Sequence, residues 1–364
     1  MSRGAQATVD LGALRANLRL ARKAAPRSRV MAVIKSDGYG HGLTAVAAAL
    51  AGQVEAFAVT DLEEAEALRA AGQRGRIVLL QGPFAGADLE RAAAGDLELV
   101  VHAPWQVEAL AAARLAAPVT AWVKVDSGMH RLGFPPEQVP TAWRRLTEAP
   151  SVRADVGFLT HLACADDRRD AMTRRQLATF EAACADLPGP RSAANSAGVL
   201  GWPESHYDWV RPGIMLYGAS PFVDDGGERP PLHPVMALQG QVVAVRHLHA
   251  GDPVGYGATW VCPEDMPVGV ISLGYGDGYP RHAPSGTPVE VAGQRTGLVG
   301  RISMDLLAVD LRGLEGVREG DPAVLWGGAV RAEEVASACG TIAYELFCRT
   351  PPRPRRCYID GEGR

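Results

Sequence analysis

The stretch V-M-A-V-I-K-S-D-G-Y-G-H-G, residues 30–42, runs through five apolar residues and then breaks at a lysine into a glycine-rich loop. An apolar run of this length reads as a buried strand, and the loop carries polar groups to its C-terminal end. Upstream, Leu11, Leu14, Leu18 and Ala21 recur at helical spacing over residues 10–25, with Asp10 placed as the N-cap. Downstream the alternation continues. Apolar runs at 56–59, 77–80, 97–101, 119–125, 155–160, 192–194 and 209–216 are separated by Ala-rich helical segments such as 62–71, 105–115 and 174–185. Eight strands alternating with helices predict an α/β fold, a (β/α)8 TIM barrel.

The pattern changes near Pro221. Residues 223–234 are rich in Asp, Gly and Pro and read as a linker. Strand-like runs follow at 235–248, 268–273, 288–292, 306–309 and 323–325, with one helix at 332–338. The expected division is a barrel over residues 1–234 and a mainly-β unit over 235–364, with the first ten or so residues free to join the β unit.

The chain has 364 residues, 47% hydrophobic and 21% charged, with a net charge of −4, which fits a globular protein with an ample core. The short basic group Arg353, Arg355, Arg356 lies among prolines and reads as a solvated end, so there is no case for nucleic-acid binding. No apolar run reaches the roughly 20 residues that span a bilayer. The first thirty residues lack a signal-peptide core, and none of the six cysteines forms a C-x-x-C pair. Reduced thiols in a cytoplasm are expected, and no metal site is signalled.

Only three lysines occur among 37 lysines and arginines: Lys23, Lys35 and Lys124. Lys23 reads as a solvated helix residue. A lysine amine can lose its proton and attack a carbonyl to form a Schiff base, which arginine cannot do. Lys35 follows the first expected strand, and Lys124 lies near the end of the fifth. His161 sits past the sixth, Asn195 and Ser196 follow the seventh, and Arg211 falls on the eighth. Polar groups at the C-terminal ends of several barrel strands mark a catalytic face.

Seven blocks then carry a resemblance. They are A-V-I-K-S-D-G-Y-G-H-G, K-V-D-S-G-M-H-R-L-G-F, V-R-P-G-I-M-L-Y-G, V-G-Y-G-A-T-W, G-Y-G-D-G, G-R-I-S-M-D and T-I-A-Y-E-L-F-C-R. In this order and over nearly the whole chain, the sequence resembles the alanine racemase family, fold-type III enzymes that use pyridoxal 5'-phosphate (PLP). The resemblance implies that Lys35 holds PLP and acts as one base, with Tyr256 as the other, reaching the site from a second subunit. It implies that Tyr39, Ser196, the N–H groups of Gly213 and Ile214, and Tyr344 contact the phosphate, with Asn195 beside them. Arg211 faces the pyridine nitrogen and donates to it. With His161, Arg211 forms a relay to Tyr256, since a phenol has to be helped to ionise at neutral pH. Arg131 binds the phenolic oxygen and the substrate carboxylate, positioned by a Lys124 that the family often carbamylates, and Met304 reaches the substrate through its backbone.

Tyr275, Arg301, Ile342, Asp166 and Arg281 match the access corridor. The implied assembly is a cytoplasmic homodimer with composite sites, acting on alanine and supplying D-alanine for peptidoglycan. The chain departs from the family pattern at Ser36 and Gly38, where alanines are usual, and at Ser303, where cysteine is common. A related PLP racemase with serine or broader specificity, and a non-catalytic PLP-binding protein, are the alternatives. Arg211 stands where PLP decarboxylases of similar architecture have a carboxylate.

Overall fold

The structure, a computed structural model, describes residues 4–223 and 229–361, so residues 224–228 of the expected linker lie outside the described residues. After β1 (Gln6–Asp10) comes a helix, Leu11–Ala24, whose start is capped as the sequence requires. Asp10 Oδ1 accepts from the N–H groups of Gly12 (2.8 Å) and Ala13 (3.0 Å).

Eight parallel strands then close into a barrel. They are β2 (Arg29–Val33), β3 (Ala56–Val59), β4 (Arg76–Leu79), β5 (Leu97–Val101), β6 (Thr120–Lys124), β7 (Gly157–Leu159), β8 (Arg191–Ser192) and β9 (Trp209–Val210). β9 pairs back onto β2 at Arg29↔Trp209. The N-terminal mouth is plugged by side chains. Trp122 and Trp209 meet edge to face at 6.0 Å, and Arg76 lies 4.6 Å over the Trp209 ring. Glu98 accepts from Trp122 Nε1 at 2.8 Å and pairs with Arg76. With that end filled, the C-terminal mouth is the one left to hold ligands.

Two expectations are corrected. The run 209–216 is a strand only over Trp209–Val210. Pro212 has no N–H to continue the ladder, and Ile214–Tyr217 forms a 3₁₀ turn, so Arg211 stands just beyond β9 rather than on it. The basic group at 353–356 is not a solvated end. Arg355–Ile359 is a strand, and the Arg356 side chain is only 18% exposed and paired.

The second sheet contains β10 (Met236–Leu248), β13 (Met266–Ile271), β14 (Pro288–Val291), β15 (Gln294–Val299), β16 (Leu307–Asp310), β17 (Pro322–Trp326) and β18 (Arg355–Ile359). A small hairpin, β11 (Pro253–Val254) and β12 (Trp260–Val261), stands apart. The sheet order is β13-β16-β15-β14-β17-β10-β1-β18. β10 is long enough to pair with β17 through its first half and β13 through its second, with a bulge between Val242 and Ala244. β1 therefore joins this sheet, antiparallel to β10 and parallel to β18. Helices Ala332–Ala338 and Ala343–Cys348 lie between β17 and β18. Among the described residues, no helix is long and apolar enough to cross a membrane.

Gly157 on β7 faces the Trp122 ring, where an added Cβ would lie 2.4 Å away. Gly157→Ala is expected to destabilise the chain by about 1–3 kcal/mol through overpacking. A lower urea midpoint with unchanged slope checks this.

Candidate active site

Each functional side chain is placed by a local feature of its strand end. Lys35 lies two residues past β2, and the chain then turns left-handed. Ser36, Asp37, Gly38 and Tyr39 have φ of 54°, 55°, 62° and 51°, a turn that brings the Tyr39 ring back beside Lys35. Lys124 ends β6. The loop after it is pinned by Asp126, whose Oδ1 accepts from the N–H groups of Gly128 (3.1 Å) and His130 (2.9 Å), and this sets where Arg131 emerges.

Lys35, Tyr39, Lys124, Arg131, His161, Asn195, Ser196, Arg211, Gly213, Ile214 and Tyr344 all line one cavity of about 440 Å³ at the C-terminal mouth. Among the described residues that line it there is no Asp or Glu, whereas four are cationic. Burial, then repulsion from Arg131, lowers the Lys35 amine. Burial, then Arg131, Arg211 and Lys35, pushes the Lys124 amine down to about 8. Burial and the same cations push the His161 imidazole well below its usual range, so it is neutral near pH 7.

Arg211 is held entirely by neutral oxygens. Its guanidinium donates to Ser192 Oγ (2.6 Å), Ala193 O (3.2 Å) and Thr160 O. Thr160 is fixed in turn, its hydroxyl donating to Val125 O (2.9 Å) and lying 2.7 Å from Ser127 Oγ. Burial alone lowers Arg211, to about 10, which leaves it charged at neutral pH. Sequence reasoning missed Thr160, Ser192 and Ser127. Their position at or next to strand ends was the available signal.

Past the same two strand ends, Ser196 Oγ accepts from the N–H groups of Gly213 (2.9 Å) and Met215 (3.2 Å). A Cβ at Gly213 would lie 2.7 Å from the Tyr39 hydroxyl, so only glycine lets that hydroxyl approach. The Tyr39 ring stacks on Tyr217 at 4.7 Å and lies 6.0 Å from Tyr344, which reaches in from the helix Ala343–Cys348. Cys348 on the same helix also lines the cavity and was not singled out. An amine suited to a carbonyl, cations without counter-charges, and clustered hydroxyls fit a small phosphate-bearing aldehyde with an aromatic body.

Two expected residues are not in this cavity. Tyr256 is 65% exposed and Met304 53% exposed, both on the β unit. The corridor residues also fall apart within one chain. Asp166 and Ile342 line a space beside the cavity, Tyr275 and Arg281 line another, and Arg301 packs against the loop at Gly255 and Gly257.

The lowered Lys124 amine has a consequence for stability. Between pH 8 and its ordinary value of 10.5, the unfolded chain holds that proton more tightly than the folded one. The cost of the buried charge is therefore fully present below about pH 8 and fades as pH rises toward 10.5. In carbonate-free buffer, Lys124→Met is expected to be more stable than the parent at about pH 7, with the advantage shrinking by about pH 10. Urea denaturation at both pH values measures it.

Known proteins show the same architecture and sequence. Residues 9–221 match the family described as alanine racemase, N-terminal domain, and residues 235–358 match alanine racemase, C-terminal domain. The chain is 80% identical over 362 residues to an alanine racemase of Halorhodospira halophila, covering 100% of both chains. It is 53% identical over 352 residues to one of Nitrosococcus oceani, covering 96% of this chain and 98% of that one. The crystal structure of the biosynthetic alanine racemase from Pseudomonas aeruginosa superposes with a TM-score of 0.95 at 46% identity, covering 98% of this chain and 99% of the other. The structure of alanine racemase from Acinetobacter baumannii gives 0.91 at 34% identity, covering 98% of this chain and 100% of the other.

Proposed function

The chain belongs to the alanine racemase family, isomerases that act on alanine, and on that premise we propose that it interconverts L- and D-alanine on bound PLP with Lys35 and Tyr256 as opposed bases. PLP supplies an electron-withdrawing ring that makes the substrate α-proton acidic. Everything else is supplied by the residues of this chain.

Lys35 Nζ would hold the cofactor at its carbonyl carbon and would take or return the substrate α-proton on one face. Its lowered amine suits both tasks. The Tyr39 and Ser196 hydroxyls, the N–H groups of Gly213 and Ile214, and the Tyr344 hydroxyl hold the phosphate, with Asn195 ordering the start of the Ser196 segment through Gly198 N–H (2.9 Å). Arg211 donates to the ring nitrogen. A guanidinium lowered only to about 10 keeps its proton in the hydrogen bond rather than passing it to that nitrogen, which would limit electron withdrawal and favour return of the proton to the substrate. Arg131 binds the cofactor phenolate oxygen and the substrate carboxylate. We place a carbamate on Lys124: a deprotonated amine near neutral pH can take up carbon dioxide, and the resulting anion pairs with Arg131 instead of repelling it.

The observation that carries the two-base reading is the separation just described. The cavity holds one base and the charges that orient a substrate, while Tyr256 and Met304 stand in solvent on the other unit. In a head-to-tail dimer, Tyr256 and Met304 of each chain complete the site of the other, His161 and Arg211 carry the relay to Tyr256, and the corridor residues come together. We place the enzyme in the cytoplasm as a source of D-alanine for peptidoglycan, and the division between its units at residue 234.

Chiral chromatography after incubating L-alanine and L-serine separately with protein and PLP tests the reaction. D-alanine is expected to form much faster than D-serine. Comparable rates point to the broader racemase, and no D-product despite bound PLP points to a cofactor-binding protein. Composite sites make a sharper prediction. Lys35→Ala and Tyr256→Phe are each expected to be inactive. After subunit exchange the mixture regains about a quarter of parental activity, because half the dimers carry one intact site. Recovery of nothing would place both bases on one chain.

A further inference from the structure

The turn after Lys35 does not hold its own shape. Four consecutive residues, three of them carrying a Cβ, lie in the left-handed region that L-residues disfavour. Such a run persists only where its surroundings dictate it.

Those surroundings converge on Asp37. Its N–H donates to Glu64 Oε1 (2.9 Å), and its Oδ1 accepts from Leu43 N–H (2.8 Å). Its Oδ2 pairs with Arg356 Nη1 (2.6 Å), although Arg356 lies far away in sequence on β18. Arg356 is mostly covered, and its Nη2 reaches Thr350 O at 3.5 Å. The same C-terminal segment presses on the rest of the loop. A Cβ on Gly40 would lie 2.0 Å from Phe347 O, and one on Gly42 would lie 2.1 Å from Tyr358 Oη. His41 is buried between the Tyr217 and Phe347 rings, at 4.6 and 5.1 Å, and donates from Nδ1 to Tyr39 O at 2.7 Å. Burial pushes His41 down to about 4, so it stays neutral and keeps that proton placement. β18 is itself locked by its parallel ladder to β1, from Gln6↔Arg355 to Asp10↔Ile359.

We propose that Arg356 is a positioning residue for the reaction: through Asp37 it holds the left-handed turn 36–39 so that Lys35 Nζ and the Tyr39 hydroxyl face one cavity together. The proposal rests on the PLP reading above. Glu64 and Leu43 restrain Asp37 from the barrel side, whereas Arg356 ties its carboxylate to the β unit. Losing that tie lets the turn relax toward ordinary backbone, moving Lys35 and Tyr39 while leaving Arg131 in place.

The test uses the holoenzyme and five variants: Arg356→Met, Arg356→Lys, Asp37→Asn, the double variant Arg356→Met/Asp37→Asn, and Arg355→Met as an exposed control on the same strand. PLP dissociation, followed by loss of the lysine-bound cofactor absorbance on dilution, is read together with kcat and KM for L-alanine at saturating PLP. Arg356→Met is expected to weaken PLP binding by about tenfold, or about 1.4 kcal/mol, and to lower kcat with KM for alanine unchanged. Arg356→Lys restores part of both. Asp37→Asn, which leaves β18 untouched, reproduces the loss, and the double variant Arg356→Met/Asp37→Asn is no worse than either single change. Arg355→Met behaves as the parent. Parental PLP affinity and kcat in folded Arg356→Met, or in Asp37→Asn if Arg356→Met does not fold, would overturn the proposal, as would additive losses in the double variant. Failure of the unmutated chain to bind PLP would overturn the functional reading itself, a result distinct from any on the variants.

Discussion

Like charge is crowded at the C-terminal mouth of the barrel. Lys35, Lys124, Arg131 and Arg211 share one cavity whose described lining contains no carboxylate, and this repulsion organises what surrounds it. Together with burial, the larger cause, it lowers both lysine amines and keeps His161 neutral. It suits the cavity to an anionic ligand and gives Lys124 a reason to become an anion. Arg211 is caged by the neutral oxygens of Thr160, Ala193 and Ser192, which leave its charge uncompensated in the cavity. A carboxylate there would neutralise the guanidinium. The barrel accommodates this concentration by filling its other mouth with tryptophans and a paired Glu98, so that one end is rigid core and the other is available for chemistry.

The β unit does more than cover the barrel. Its helix Ala343–Cys348 delivers Tyr344 to the cavity, and its last strand reaches the loop that carries the reactive lysine. That strand is anchored on β1, the first strand of the chain, so both termini of the described chain meet in one sheet. The same unit carries Tyr256 and Met304 outward. Part of this unit thus supports the chain's own site, while Tyr256 and Met304 stand exposed outside it. Coupling of this kind makes assembly and catalysis inseparable in the proposed dimer.

Much of the barrel is legible in the amino acids. Apolar runs bounded by polar residues mark its strands because each strand is buried on both faces. Asp10 caps the first helix because a short carboxylate satisfies free N–H groups wherever it precedes a helical run. The scarcity of lysine draws attention to Lys35 and Lys124 because amine chemistry cannot be done by arginine. The errors are equally physical. Residues 209–216 are mostly apolar on either side of Arg211, so hydrophobicity extends the strand, but Pro212 stops the ladder. The basic group at 353–356 looks solvated because charge and proline usually are, yet a parallel partner at β1 and an acid at Asp37 bury one of its arginines.

What the sequence determined by itself is therefore most of the elements and the candidate groups for chemistry, since caps, periodicity and functional-group chemistry act over a few residues. Only the tertiary structure decided which groups meet. The left-handed turn at 36–39, its tie to Arg356, the neutral cage around Arg211 and the distance of Tyr256 from its own chain's cavity all depend on contacts between residues far apart in sequence. Such contacts form only when the barrel and the sheet pack together, and no local pattern encodes them.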